Sequence, residues 1–451
     1  MKVAEIISDT NIGGAGVLLV NRLRHTDRRE FESAVLLPEK SRLCPEFAAI
    51  GVPVREVRGC ADASFRVRGV FSIWRELRRL RPDVVNCHGC LSGRVAARLA
   101  GVPLRVHTRH CAFPVPAIRR EPLVRRLTGR VDRMLSQTSV AVAGAAAENL
   151  VQMGVSPEKI RVIINGSEPL RRIPEAECRA LRKKYGLPED CVTIGICARL
   201  EACKGHECLL QAARILREDG YDYRFLLIGE GSMRERLILL SCALGVAEKV
   251  VFTGFQADVA PLMNLVRIQV NCSVGTETSS LALSEGMSLG IPAVVSDFGG
   301  NPYMVRDGEN GYVYPAGDPQ ALAQAIRRLV SSPQKYREMS EQARRRFETE
   351  LNAVAMTRRT EALYRELYRK LQVQQKGCHA EIDHQRNGVH DGRDKGTCHH
   401  GGVQLQAFGK NRQRTAHKLC HDHRGKKGDR DHQGDQRRGA VDEHRLTESG
   451  D

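Results

Sequence analysis

Two successive series of strand-like aliphatic runs, each interleaved with helical patterns, constrain this chain more than any other feature. The first runs KVAEIIS (Lys2–Ser8), SAVLLP, DVVNCH, LRVHTRH and IRVIIN, and a glycine-rich turn, Gly13-Gly14-Ala15-Gly16, follows its first member. The second starts near Cys191 with VTIGICARL and continues through RFLLIGEG, KVVFTG, RIQVNCS and IPAVVSD. Helices are expected from about His206 to Glu218 and from Ser232 to Leu244. Runs that are apolar throughout, rather than alternating, belong to strands buried on both faces, and helices between them imply parallel sheets. The expected fold is therefore α/β, with two doubly wound halves facing each other across a cleft. A first domain spans residues 1–170 and a second 171–352, joined around Asn165–Pro188, a stretch rich in proline, glycine and charge. A last helix, roughly Ala353–Leu371, carries Tyr364 and Tyr368 four apart on one packing face and is assigned, as residues 353–372, to the first domain.

The totals agree. At 451 residues the chain exceeds what one compact core supports. No apolar run approaches the roughly 18 residues of a membrane span. The amino terminus lacks an apolar leader, so no secretion signal is expected. Fifteen cysteines at irregular spacings read as reduced thiols in a cytoplasmic protein. The net charge of +17 favours anionic partners. Phosphorylated metabolites and acidic lipid rank ahead of nucleic acid, which is not expected as a partner because no recognition motif is present and few aromatics could stack bases.

Composition changes near Gln375. Residues 376–451 hold ten of the fifteen histidines, one phenylalanine and no tyrosine or tryptophan, too little apolar surface to offset the entropy of ordering. Residues 373–451 are expected to be a disordered tail or an out-of-frame readthrough. His399, His400, Cys420, His421 and His423 have no recognised ligand spacing, and no metal site is assigned.

The chemistry concentrates in GTETSSLALSEGMSLGIPAVVSDFGG (Gly275–Gly300), which keeps Glu277 and Glu285 eight positions apart. A helix is expected to start near Thr278–Ser280, whose residue types make good N-caps. Along a helix, eight residues climb about 12 Å, so the two acids suit the two ends of an elongated ligand rather than one shared atom. Helix-start amides between them would meet an anionic centre. Hydroxyl-rich ends around a diphosphate describe a nucleotide-sugar. Because carboxylates repel phosphate, cations are needed, and Arg199 and Lys204 in ARLEACKGH follow the strand VTIGI at its carboxyl edge.

CARL…KGHECLLQAA, LLIGEGSMRERL, VVFTGF, the Gly275–Gly300 segment and DGENGYVYPAGD, in that order, resemble the carboxyl half of the retaining glycosyltransferases of family 4, which have the GT-B fold of two facing Rossmann-like domains. The GGAG turn, HTRH ending at His110 and INGSE around Asn165 agree more loosely in the amino half. The resemblance covers residues 1–372. It implies that Arg199 and Lys204 hold the donor diphosphate, Glu285 the ribose and Glu277 the transferred sugar. It also implies that Gly14 and Gly16 let backbone approach the donor, that His110 lies beside the sugar, and that no metal or other cofactor is needed. The catalytic set so implied is Arg199, Lys204, Glu277 and His110. The implied reaction moves a sugar from a nucleotide-diphosphate donor to an acceptor hydroxyl in polysaccharide or lipid-linked glycan synthesis; a sugar-nucleotide epimerase or hydrolase on the same scaffold is the alternative. Where the family often carries an acid, this chain has Tyr303.

His107 and His88 compete with His110 for its role, each also readable as a strand-end residue. Cys87 and Cys90 form a C-x-x-C best read as buried thiols. Residues 113–135 alternate Arg119, Arg120, Arg125, Arg126, Arg130 and Arg133 with Ile118, Leu123, Val124, Leu127, Val131 and Leu135. That pattern suits either a basic helix on an anionic membrane, at the inner face of the plasma membrane, or a helix packed on its own domain with a solvated face.

Overall fold

The computed structural model of the chain describes residues 1–390 apart from 63, 113 and 114, with side chains as far as 374. Residues 391–451 lie outside it, and with them His399, His400, Cys420, His421 and His423. The aliphatic runs become strands of two parallel sheets. The first holds β1 (Lys2–Ile7), β2 (Glu32–Pro38), β3 (Val54–Val57), β4 (Val84–His88), β5 (Leu104–Arg109), β6 (Thr138–Ala141) and β7 (Ile160–Val162), in the order β3-β2-β1-β4-β5-β6-β7. The second holds β8 (Thr193–Cys197), β9 (Arg224–Ile228), β10 (Val250–Gly254), β11 (Ile268–Asn271), β12 (Ala293–Ser296) and β13 (Gly311–Tyr314), in the order β10-β9-β8-β11-β12-β13. Chain direction along each sheet reverses once, between β1 and β4 and between β8 and β11, and crevices for ligands open at such points. Register places Ile7 beside His88 at the first and Ile194 beside Ile268 at the second.

The helix expected over His206–Glu218 has those bounds, and the second runs Arg234–Ala243. Three strands were not anticipated: β3, β6 and β13, each of four residues. The joining stretch contains a helix that was not anticipated. Residues Glu175–Lys184 form a helix, and Cys178, Leu181 and Tyr185 pack onto Leu226 and Leu262 of the second domain. The charge that suggested a linker is Glu175 and Glu177 in the first turn and Arg182, Lys183 and Lys184 in the last, an arrangement favourable to the helix dipole.

After the second domain the chain returns to the first. The terminal helix runs Ala353–His390, past its expected end at Leu371 and into the segment expected to be a disordered tail, with no proline to interrupt it. Met356, Leu363 and Tyr364 join Val3, Val84 and Val106 in the first domain's core. Tyr364 donates to Glu5 at 3.3 Å and Tyr368 to Asp83 at 3.1 Å, so both point to the same domain. The outgoing and returning segments touch: Ser167 N–H donates to Leu351 O at 3.0 Å and Ala353 N–H to Ser167 O at 2.9 Å. A side chain at Gly166 would stand 2.1 Å from Asn352 O, so only glycine lets the two crossings lie together.

Candidate active site

A cavity of about 260 Å³ sits between the domains, lined by Gly14 from the first and by Lys204, Asn271, Glu277 and Ser279–Leu283 from the second. Its floor is the carboxyl end of β8 and β11. Past β8, a short turn over Ala202–Lys204 ends at Gly205, whose φ of 68° and 2.0 Å approach to Cys272 O exclude a side chain. That turn aims Lys204 inward, where its ammonium meets Glu277 Oε2 at 2.8 Å. Asn271 Nδ2 and Ser273 Oγ donate to the same oxygen at 3.1 and 3.0 Å. Among the described residues no donor reaches Glu277 Oε1, which leaves that oxygen to a ligand.

Lys204 and Glu277, expected at the diphosphate and at the transferred sugar, are paired with each other. Moreover, only Glu285 lies in the helix, which spans Leu281–Ser288 and is capped by Ser280 Oγ accepting from Leu283 N at 3.3 Å. Glu277 belongs to the loop before that cap, so helical pitch does not set the separation of the acids. Glu285 is half-buried, and no described side chain bonds its carboxylate; burial raises its pKa above the usual range. The neighbouring Cys197 thiol is pushed up to about 12, chiefly by burial and secondarily by the Glu285 charge, and is inert. Arg199 is exposed and makes no salt bridge among the described residues.

The two glycines of the turn differ. Space beside Gly14 is open for 4 Å on its side-chain side, whereas a β-carbon on Gly16 would stand 2.6 Å from Leu43. Packing against Leu43 therefore explains Gly16, and Gly14 is the one at the cavity.

His110 Nε2 lies 2.7 Å from His88 Nδ1, and His88 Nε2 lies 2.8 Å from Glu5 Oε2, with Arg22 paired to the same carboxylate. Sequence reading missed Glu5 and Arg22; the only signal was an acid and a base at otherwise apolar core positions. His107 is buried, 3.5 Å from Ser139 Oγ, with its pKa held well below normal mainly by burial. It is a core histidine. Burial first, then the His88 charge, brings His110 down to about 3. Burial alone would raise the Glu5 carboxyl, but the charge of Arg22 and the His88 bond bring it down to about 2.

These shifts have a consequence in acid. Below about pH 6.5 the unfolded chain binds a proton at His110 that the folded one refuses, so stability falls as pH drops from there toward 3. The Glu5 contribution is lost lower, between about 4.5 and 2. In His110→Asn, melting temperature is expected to decline less steeply between pH 6.5 and 4.5 than in wild type; parallel declines would contradict the assignment.

Two further contacts cross the cleft. Ala112 N–H donates to Thr278 Oγ1 at 3.1 Å, and Tyr303 OH to Glu148 Oε1 at 2.7 Å. The Tyr303 ring lies where a side chain at Gly144 would be, 2.2 Å from that β-carbon position. Gly144→Ala is expected to displace the ring and lower the melting temperature, and adding Tyr303→Ala to restore part of the loss. Additive losses in the double variant would separate the two residues.

On the outer face of the first domain, helices Ala117–Arg120 and Pro122–Leu135 turn apolar side chains to solvent. Ile118, Leu123, Leu127 and Met134 are 65, 77, 61 and 58% exposed. Buried positions are Gly129, Asp132 and Leu135 instead. Cys90 Sγ caps the helix Leu91–Leu99 by accepting from Gly93 N at 3.4 Å, and Cys87 is buried, so the C-x-x-C is structural. Among the described residues no cluster of His, Cys, Asp and Glu could hold a metal, and no helix is long and apolar enough to cross a membrane.

Two family models match. Residues 12–169 match Glycosyltransferase Family 4 and 178–346 match Glycosyl transferases group 1. A 2-deoxystreptamine glucosyltransferase of Streptomyces kanamyceticus is 28% identical over 57% of this chain and 71% of its own length. A UDP-Gal:alpha-D-GlcNAc-diphosphoundecaprenol alpha-1,3-galactosyltransferase of Escherichia coli is 25% identical over 66% and 79%. Among solved structures, Anabaena HepE in complex with UDP superposes with a TM-score of 0.70 at 20% identity, covering 81% of this chain and all of that one.

Proposed function

We infer from membership of glycosyltransferase family 4, to which this GT-B chain belongs, that its cleft takes a nucleotide-diphosphate sugar and transfers the sugar with retained configuration. Neither matched family model is that of an epimerase or hydrolase. The observation that carries the reading is the Lys204–Glu277 pair in a cavity roofed by Gly14, where both domains supply groups to one site. Arriving phosphate draws Lys204 from Glu277, and Glu277 Oε1 accepts from the sugar. Arg199, free of salt bridges, adds a second cation. Glu285 accepts from ribose hydroxyls. Amides at the start of Leu281–Ser288 add partial positive charge near the departing diphosphate. Among the described residues no side chain is assigned as a covalent nucleophile, and the acceptor hydroxyl is proposed to attack from the leaving-group side. No metal is assigned to the reaction.

The acceptor is proposed to be a glycan or lipid-linked glycan met at an anionic membrane surface, on its cytoplasmic side. Two facts support this. The E. coli relative is named for a diphosphoundecaprenol-linked acceptor. Residues 118–134 present an exposed apolar stripe flanked by arginines, which suits an interface better than a packed helix. A thermal-shift panel of UDP-, GDP- and ADP-sugars tests the donor. At a hundred times its dissociation constant the correct one is expected to add about 2.7 kcal/mol. Stabilisation by none of them would overturn the reading.

A further inference from the structure

We propose that the groove between helix Pro122–Leu135 and the turn at residues 154–157 binds a phosphomonoester or diphosphate, gripped by Arg125, Arg126 and Arg133. The groove belongs to the first domain alone, so the proposal does not rest on the reading of the cleft. It adds a specific site to the general attraction of that face for an anionic surface. The space measures about 460 Å³, and the three arginines, Gly129, Gly154 and Ser156 are among its lining residues. That size falls within the roughly 300–1,000 Å³ usual for ligand sites. Two glycines shape it. A side chain at Gly129 would stand 2.1 Å from Gly154 O, and one at Gly154, whose φ is 93°, 2.1 Å from Arg125 O. The helix therefore rests on the turn backbone to backbone, and the Arg125 stem, 2.9 Å from the same Gly154 position, covers the seam.

The charge in the groove is unbalanced. All three arginines are exposed, and among the described residues none makes an ion pair or a side-chain hydrogen bond. No acid is among the described residues that line the groove. Asp132, on the buried side of the same helix, is committed to Arg94. Glu158 stands near Arg133 but also near Lys159, so those two offset each other. Glu121, one turn before Arg125, makes no ion pair with it. Helix energetics do not account for the cluster either. Arg125 and Arg126 lie near the start of a helix with no acid in its first turn, where the dipole disfavours cations; only Arg133, in the last turn, is favoured by it. A doubly charged phosphate relieves the mutual repulsion, and planar guanidinium forks match its oxygens two at a time. At 3.6 residues per turn, Arg126, Gly129 and Arg133 share one line along the helix, with Leu123, Leu127 and Met134 roughly 100° farther round. The phosphate can thus arrive free in solution, or on a lipid whose chains meet that exposed stripe.

The test compares the full chain with a charge-conserving variant carrying Arg125→Lys, Arg126→Lys and Arg133→Lys, which keeps the point charges and removes the forks; a melting curve checks that it folds. Calorimetric titration with inorganic pyrophosphate at fixed ionic strength reads the free anion. Vesicles of phosphatidylcholine with either phosphatidic acid or phosphatidylglycerol, at matched surface charge, read the lipid source. Wild type is expected to bind pyrophosphate saturably, or to prefer phosphatidic acid over phosphatidylglycerol, by at least about tenfold more than the triple variant does. The first result alone identifies a free phosphate compound, the second alone a lipid phosphomonoester, and both together a site open to either; each supports the proposal. Pyrophosphate binding that disappears in Lys204→Ala and persists in the triple variant belongs to the cleft and overturns it. A triple variant equal to wild type on both probes overturns it too, as does wild type that neither binds pyrophosphate nor distinguishes the two lipids. Failure of every nucleotide-sugar to bind would defeat the cleft reading and leave this site standing.

Discussion

Lys204→Ala is expected to lower turnover by about 10²–10³ while the protein stays folded. Among the described residues Lys204 is the one cation that lines the cavity, and its ammonium is committed to Glu277 at 2.8 Å. Removing it acts twice. The leaving diphosphate loses a preorganised positive charge in a partly dry site, where such charges count most. It also meets an uncompensated Glu277 carboxylate, which repels it. Folding is spared because Asn271 and Ser273 still donate to Glu277 Oε2, and a melting curve separates the two effects. Lys204→Arg is not expected to rescue, because a planar fork does not replace a compact ammonium beside a carboxylate already bonded by two donors. Turnover in Lys204→Ala within threefold of wild type would remove Lys204 from the chemistry.

Replacing Arg119, Arg126, Arg130 and Arg133 together by glutamine is expected to weaken partition onto anionic vesicles by on the order of 10³, taking about 1 kcal/mol for each basic residue near such a surface. None of the four makes a salt bridge among the described residues, so their charge is available to a surface. Leu123 and Leu127, 77 and 61% exposed, supply the apolar part that enters the interface. Leu123→Ser with Leu127→Ser is expected to weaken binding even at salt concentrations that screen the arginines. Turnover on a water-soluble acceptor should be unaffected by either set. Equal binding of wild type and the four-arginine variant to vesicles of phosphatidylglycerol and phosphatidylcholine would return the segment to an ordinary solvated helix.

Much of the architecture was legible because its signals are local. Strands such as Val84–His88 are buried at every position, so they read as unbroken aliphatic runs. The helix His206–Glu218 shows its start through the preceding glycine and its length through its apolar spacing. The four-residue strands β3, β6 and β13 give too short a window for any period to emerge. Within the site, residue types and their positions on strand ends were visible, whereas pairings were not. Lys204 and Glu277 are 73 residues apart in sequence, and only the fold brings them together. Glu5, an acid within an apolar run, does not show its partner until β1 is laid beside β4 and His88 comes into reach. Gly14 and Gly16 look alike in the sequence; Leu43, on a separate element, distinguishes them.

The side-by-side crossings at Gly166–Ser167 and Leu351–Ala353 work like the rivet of a pair of tongs. Joined to each other by hydrogen bonds, they tie the two lobes at one place, about which a rotation would open the cleft. The Ala112–Thr278 and Tyr303–Glu148 contacts are both closures of the jaws, and a single pivot parts them together. A rotation that admitted donor or released spent nucleotide would break both contacts and remake them on closing.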